Sequence, residues 1–553
     1  MPLFLAFAII LPLVGAGGTL GLSLVPRARP YTRYVALTAV GLTTILVFAL
    51  RWMEPVVVIP SLWWPSLLFG ATLKLQTDVA LQPLALALAL VTCSATLAGI
   101  ARTEELHPRL AATLLALLAS GFVALWSANI LTMVIGWAMY DLLQAVGSIA
   151  AGGTVRMAMR GLVRGSVATL LLWGGTLLSG GRVGSGLWSL VSPESAQLRF
   201  WVGAALLRLG VYPFQSIVPN NLGAASLLLS PLMGWGLWLR LISLNGGFPA
   251  GDAVGLGIAA VTLTLGSFLA WSCESPRCVS QWVGMGVTGA VLLAAGLAGE
   301  SASAVITAGA VAWALGVAVL FLKSGLDGGL LQEGQVAWWN LPSLVGALAL
   351  LGVPLTLGFV TQAALLGGLT RGEPLGLGVA FFVANLFLVP SVIRCLRLSP
   401  SSPGCTLSAG CLSSALPSRR WSTIVGGTGL GLLALPLILA GLYPPVLLAG
   451  TSVPSLWALL GMPRLVGWLL WAISLAGGGV LAWQEDVLRP RIELALVVIH
   501  DLLRLEWLYD AVGGALARWL HVFRAADEVV GGAGALLWSL LLFLLILLIW
   551  GRF

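Results

Sequence analysis

Apolar runs of about twenty residues recur from one end of the chain to the other, each long enough to cross ~30 Å of hydrocarbon as a helix. Short stretches in which arginine, proline and glycine collect separate them. By that length rule the pattern predicts about sixteen spans. The first eight fall near 3–24, 34–51, 80–101, 109–127, 129–151, 159–180, 199–217 and 223–243. The other eight fall near 254–272, 279–298, 302–323, 343–369, 375–396, 422–448, 464–484 and 532–551.

One run departs from this rhythm. Ala347–Leu366, ALALLGVPLTLGFVTQAALL, is interrupted by Pro354, Thr356, Gly358, Thr361 and Gln362. A broken helix leaves backbone groups unpaired, which a bilayer tolerates only where protein or a water-lined cavity surrounds the break. Transporters place such breaks at the midplane, where ions or substrates are handled. A Pro-kinked helix with a purely packing role is the other reading of the same residues.

Two more stretches do not read as spans. Residues 397–421, RLSPSSPGCTLSAGCLSSALPSRRW, are rich in Ser, Pro and Gly and read as a flexible cytoplasmic loop. Residues 485–528 carry apolar positions at helical spacing with charges between them. Ile492, Leu496, Ile499, Leu503 and Trp507 line one face, while Arg491, Glu493, Asp501 and Arg504 lie elsewhere. Such a helix lies along a surface and does not cross the membrane. An interfacial helix anchored in lipid and a strut along neighbouring subunits both fit it. The expected organisation is N-terminal spans over 1–128, a core over 129–396, the loop 397–421, peripheral spans over 422–484, the lateral amphipathic helix 485–528 and a terminal span within 529–553.

Composition agrees with the pattern. Of the 553 residues 59% are hydrophobic and 9% charged, far below the roughly one quarter charged residues of a soluble domain. The expected class is an all-α polytopic membrane protein, since β-barrel strands would appear as ~10-residue alternating segments. The net charge of +8 comes almost wholly from arginine, the only lysines being Lys74 and Lys323. In a membrane protein this excess reports topology and anionic lipid, not nucleic acid. Alternate loops hold Arg27, Arg29 and Arg33; Arg102 and Arg109; Arg156 and Arg160; Arg277; Lys323; and Arg394, Arg397, Arg419 and Arg420. Those loops are expected to be cytoplasmic and both termini outside. The apolar N-terminus has no positive n-region and no small-residue cleavage site, so it reads as a first span. Among the six cysteines, Cys273/Cys278 and Cys405/Cys411 form close pairs without a neighbouring histidine in sequence, and no metal site is expected.

Charges inside spans are costly and mark candidate functional positions. Asp141 sits inside the fifth span and Arg208 inside the seventh, upstream of Pro213. Arg160, Arg164 and Lys323 lie at span ends, where long side chains reach the interface. A carboxylate and a guanidinium at similar depth would pair, because an isolated buried charge is strongly penalised. The pair reads either as an electrostatic element of a proton path or as a static ion pair that fixes packing. Gln362, Thr361, Thr356, Ser230, Ser226, Asn220, Asn221 and Gln215 add polar groups, which in membranes more often join helices at ~0.6 kcal/mol each.

In this order the features resemble the antiporter-like membrane subunits of respiratory complex I, related to multisubunit sodium/proton antiporters and membrane-bound hydrogenases. Leu351–Ala364, LGVPLTLGFVTQAA, is similar to that family's broken twelfth helix, G-x-P-x-x-x-G-F-x-x-K. Arg208–Pro219, RLGVYPFQSIVP, is similar to its broken seventh helix, K-x-x-x-x-P-x-x-x-W-x-P. Gly136 and Trp137 match the G-W-E of its fifth helix, Gly441–Pro444 (GLYP) a motif closing a late helix, and Trp507–Asp510 (WLYD) the lateral-helix end of its distal, longest subunit.

The resemblance implies two inverted five-helix repeats, spans 4–8 and 9–13, each with one broken helix. Pro213, Pro354 and Gly358 would shape the breaks, and Trp507, Tyr509 and Asp510 would touch neighbours along the lateral helix. It further implies a multi-pass place in the inner (plasma) membrane, the lateral helix on the cytoplasmic side, other membrane subunits and lipid as partners, and protons or sodium as the ion moved. Redox chemistry of an NADH:quinone oxidoreductase-like assembly would reside in other subunits. No nucleotide, flavin or iron–sulfur motif occurs, so no cofactor is expected in this chain.

The departures are specific. The family's fifth-helix glutamate falls on Ala138, its seventh-helix lysine on Arg208 and its twelfth-helix lysine on Gln362. The eleventh-helix region, Ala310–Gly325, lacks the usual histidine and lysine, with Trp313 and Val317 there. Asp141, three residues after Ala138, could present a carboxylate on the same face. A proton path would run through Asp141, Arg208 and Gln362. A structural subunit that does not pump, a cation/proton antiporter subunit and the membrane subunit of an inorganic-carbon uptake complex are the alternatives.

Overall fold

A computed structural model of the chain describes residues 2–53, 57–58, 72–101, 107–150, 152–178, 187–188, 195–215, 223–248, 253–330, 340–371, 375–397, 419–448, 455–509, 511, 514–515 and 518. The first group of helices is α1 (Pro2–Ser23), α2 (Thr32–Ala49), α3 (Gln82–Ala101), α4 (Pro108–Leu125), α5 (Ile130–Ala150), α6 (Val155–Leu178), α7 (Ser195–Leu209) and α8 (Gly223–Asn245). The second is α9 (Ala253–Ser272), α10 (Pro276–Leu297), α11 (Ala302–Leu330), α12 (Asn340–Leu350), α13 (Phe359–Leu369), α14 (Leu375–Arg397), α15 (Arg419–Leu442), α16 (Leu456–Gly461) and α17 (Leu465–Arg504). A two-stranded antiparallel ribbon, β1 (Val57–Val58) and β2 (Leu75–Gln76), pairs Val57 with Gln76.

Among the described residues, 12 helices are long and apolar enough to cross a membrane. The expected break in 343–369 is present as two short apolar helices, α12 and α13. The expected terminal span 532–551, and residues 398–418 of the expected loop, lie outside the described residues.

The chain forms two compact units, 1–488 and 489–553. In the first, α11 is the central post: its apolar window is buried throughout, and it packs against α3, α8, α10, α12, α13 and α15. Such a position demands side chains without charge, and ASAVITAGAVAWALGVAVLF supplies them. Helices α1, α2 and α6 keep many large apolar side chains exposed, among them Leu3, Ile45 and Leu170, as lipid-facing helices do.

Helix α17 continues through Pro490 into the second unit, so the expected span 464–484 and the start of the lateral helix are one helix. In that second unit the helix stops at Arg504, where Leu505 adopts φ +58°, and helical residues resume at 506–509. Arg504 pairs with Glu506 at 2.8 Å, and the Trp507 indole donates to the Leu502 carbonyl at 3.1 Å. Trp507 and Tyr509 are exposed; Asp510 lies outside the described residues.

Candidate functional site

Two helix ends of the same kind organise the interior. Helix α7 ends at Leu209; Gly210 then takes φ +70°, and the Val211 amide donates back to the Leu206 carbonyl at 3.4 Å. Helix α12 ends at Leu350; Gly352 takes φ +65°, and the Val353 amide donates to the Leu348 carbonyl at 3.0 Å. Both are glycine caps with a six-to-one hydrogen bond, the Schellman arrangement, in which a left-handed residue satisfies the last carbonyls. A proline follows each, Pro213 and Pro354, and bars resumption of the helix at that point. The breaks are therefore written locally as Gly-Val-Tyr-Pro and Gly-Val-Pro.

The first break carries the charged pair. Arg208, in the last turn of α7, is ion-paired through Nη1 to Asp141 Oδ1 on α5, and both side chains are almost wholly buried. Its Nη2 donates to the Trp137 carbonyl at 3.3 Å. The guanidinium lies 4.6 Å from the Trp137 ring centroid and 5.6 Å from that of Tyr140, within cation–π range. One α5 segment thus supplies carboxylate, carbonyl and two rings to the same cation. Arg164 on α6, the next cation to act on Asp141, also reaches the Phe214 carbonyl in the break at 3.5 Å. Gly165 faces the carboxylate, and Gly234 on α8 lets the end of α7 approach, since a Cβ there would lie 3.0 Å from the Leu209 amide nitrogen.

Asp141 does not stand on the face that bears Ala138. Ala138 is exposed, whereas Trp137, Tyr140 and Asp141 are buried. Residues three apart on a helix differ by about 60° in direction, enough at this radius to separate lipid from interior.

The second break is tighter and neutral. A Cβ at Gly358 would overlap the Ala349 carbonyl, so the chain passes there only with a glycine. The Leu357 amide donates across to the Leu437 carbonyl of α15 at 3.0 Å, and Gly441 of the GLYP segment packs directly on Leu355 and Thr356. Gln362 on α13 packs against Gly352, and its Nε2 and the Thr361 Oγ1 are buried without hydrogen-bond partners. The structure therefore joins Asp141 to Arg208; Gln362 stands at the other break, outside the set of groups that touch the pair. Ser230 is buried on α8; Asn220 and Asn221 lie outside the described residues.

No protein-family model and no curated protein matches this sequence. Solved structures do match. The chain is 17% identical to a chain of the Mrp complex from Dietzia sp. DQ12-45-1b, with a TM-score of 0.73 over 99% of this chain and 63% of that one. It has the fold of that membrane-complex chain. It is 16% identical to a chain of the membrane-bound sulfane sulfur reductase, an archaeal respiratory membrane complex, with a TM-score of 0.72 over 99% of this chain and 100% of that one. The chain thus spans just under two thirds of the Mrp chain's length. At these identities the likeness speaks for the fold of an all-α polytopic membrane protein.

Within that fold, sequence reading missed the buried Arg240 and placed Arg394 in a loop and Lys323 at the interface, though both are buried as well. Arg240, near the end of α8, donates to the Leu125 carbonyl at 2.6 Å and Ser127 Oγ at 2.9 Å and lies 5.4 Å from the Trp188 ring. Arg394 on α14 pairs with Glu485 at 2.8 Å and donates to the Ala270 and Trp271 carbonyls at the end of α9. Lys323, expected to reach the interface, is instead buried and donates to the Cys395 and Leu396 carbonyls at 3.3 and 2.6 Å. Each cation satisfies carbonyls at a helix end or loop, where the backbone leaves them free. Their positions near span ends were the available signal, but snorkelling explains a span-end cation equally well.

Proposed function

We propose that this chain is a membrane-arm subunit of a complex I-like ion-translocating assembly, and that the Asp141–Arg208 pair is the electrostatic element of its proton path. The observation that carries the reading is a carboxylate and a guanidinium buried together at the glycine-capped end of a broken helix. A broken helix in a membrane supplies an irregular backbone where ions are handled. Arginine keeps its proton, so the carboxylate is the group that can exchange one, with Arg208 and Arg164 setting its electrostatics. Protons are the ion this pair suits; redox chemistry, where the assembly has any, resides in partner subunits, as does any cofactor.

The gathering of the Arg394, Lys323 and α9–α10 turn contacts at one end of the bundle supports placing those loops together on the cytoplasmic side. Both termini would then lie outside. The second unit's exposed Trp507 and Tyr509 suit contact with a neighbouring subunit.

Asp141→Asn in the reconstituted assembly tests the reading. The variant should assemble normally and lose proton transport. A structural subunit that does not pump is the second reading, favoured by one observation: Gln362, at the second break, cannot change charge. Full transport by Asp141→Asn would establish that second reading.

A further inference from the structure

Beside the first break lies a cavity of about 40 Å³, lined among others by Leu209, Gly210, Gln215, Gln281, Thr288 and Trp313. A site needs roughly 10–15 Å³ of such space and two or more polar partners to hold a water, and two glutamines and a threonine meet that need. Leu209 and Gly210 directly follow Arg208, so the cavity adjoins the first break.

The cavity's lining residues on α11 are Trp313 and Val317. On α11 the residues from Gly309 to Trp313 read GAVAW, with no polar side chain until the indole. That indole is buried, and its Nε1 donates to the Gly284 carbonyl on α10 at 2.7 Å, which holds the ring across the cavity. One turn further along both helices, Gly309 meets the second break: a Cβ there would lie 2.7 Å from Thr361 Oγ1 and 2.8 Å from a methyl of Val291. Thr288 and Val291 are likewise one turn apart on α10. A single helical turn, ~5.4 Å, therefore separates the cavity from Thr361 and Gln362.

We infer that Trp313 is a plug: the cavity beside the first break holds water, and the indole, clamped to Gly284, keeps that water from reaching Thr361 and Gln362 at the second break. The two breaks are then hydrated separately, and removing the ring joins them. The water barrier stands on its own geometry; its effect on protons rests on the function proposed above.

The test uses the full chain in liposomes carrying an internal pH indicator under an imposed potential. Trp313→Ala should leak protons several-fold faster than the unaltered chain, while Trp313→Phe, which keeps the ring, should not. If Trp313→Ala does not fold, Trp313→Val is read in the same way. A folded small-residue variant that leaks no faster than the unaltered chain overturns the inference. Radiolytic labelling of the unaltered chain gives a second readout: Met285, which lines the cavity, should be oxidised several times more than Met133, also buried, on α5. Equal labelling means a dry cavity and also overturns it. Adding Asp141→Asn to the leaking variant separates the two proposals. Loss of the leak supports both, and persistence of the leak leaves the plug standing while the Asp141 path fails.

Discussion

Gly165 presents bare backbone to Asp141: a Cβ at position 165 would overlap the carboxylate carbon and both its oxygens. The ion pair with Arg208 thus depends on a hydrogen atom on the neighbouring helix. Gly165→Ala should push the carboxylate off the guanidinium and cost about 1–3 kcal/mol, the usual range for overpacking. Unfolding midpoints in detergent measure the cost, and proton flux in vesicles should fall as for Asp141→Asn. Gly161→Ala, with open space where its Cβ would stand, should leave both unchanged.

Removing the cation from the pair should be worse than removing both partners. Arg208→Ala strands a buried carboxylate and should destabilise by about 3–5 kcal/mol. The double variant Arg208→Ala with Asp141→Ala should recover part of that loss, a non-additivity expected of residues in contact. Arg208→Lys should fall between, because an ammonium lacks the planar face that lies on Trp137 and the fork that reaches two oxygens at once. Denaturation curves for the unaltered chain, the single variants Arg208→Ala and Asp141→Ala, and the double variant measure the coupling; strictly additive losses would mean there is none.

The second break allows changes of opposite sign four residues or fewer apart. Gly358→Ala collides with the Ala349 carbonyl and should prevent α12 and α13 from packing, seen as loss of a monodisperse folded species. Leu355 holds φ +73° with 53% of its surface exposed, a conformation that costs an L-residue roughly 1–2 kcal/mol. Leu355→Gly should therefore raise the unfolding temperature, since little buried area is lost in exchange.

Arg394 ties three helices, and the two halves of its role can be separated. Arg394→Gln strands Glu485 and the Ala270 and Trp271 carbonyls together, and should cost about 3–5 kcal/mol. Glu485→Gln removes only the charge, leaves an acceptor for the guanidinium, and should cost less. An equal loss from the two variants in thermal unfolding would mean that the carbonyl contacts contribute nothing.

The apolar spans and both breaks follow from residues adjacent in the chain. A span is announced by its own twenty or so side chains, because each must match ~30 Å of hydrocarbon whatever surrounds it. The Gly-Val-Tyr-Pro and Gly-Val-Pro breaks are equally local, since one glycine in the left-handed region and one proline suffice to end a helix. For the same reason Asp141 and Arg208 stood out: a charge within an apolar run is visible without its partner.

Partnership was decided by packing. Asp141 and Arg208 are 67 residues apart, and Arg394 and Glu485 are 91 apart. Nothing local distinguishes a cation that snorkels, as Lys323 was expected to, from one that caps the carbonyls of a distant helix. Nor could hydropathy say that Ala138 and Asp141 would face opposite environments, or that Trp313 would line a cavity beside the first break. Those facts depend on how each helix is rotated about its axis, and that rotation is set by the close approach of other helices at glycines such as Gly165, Gly234 and Gly309.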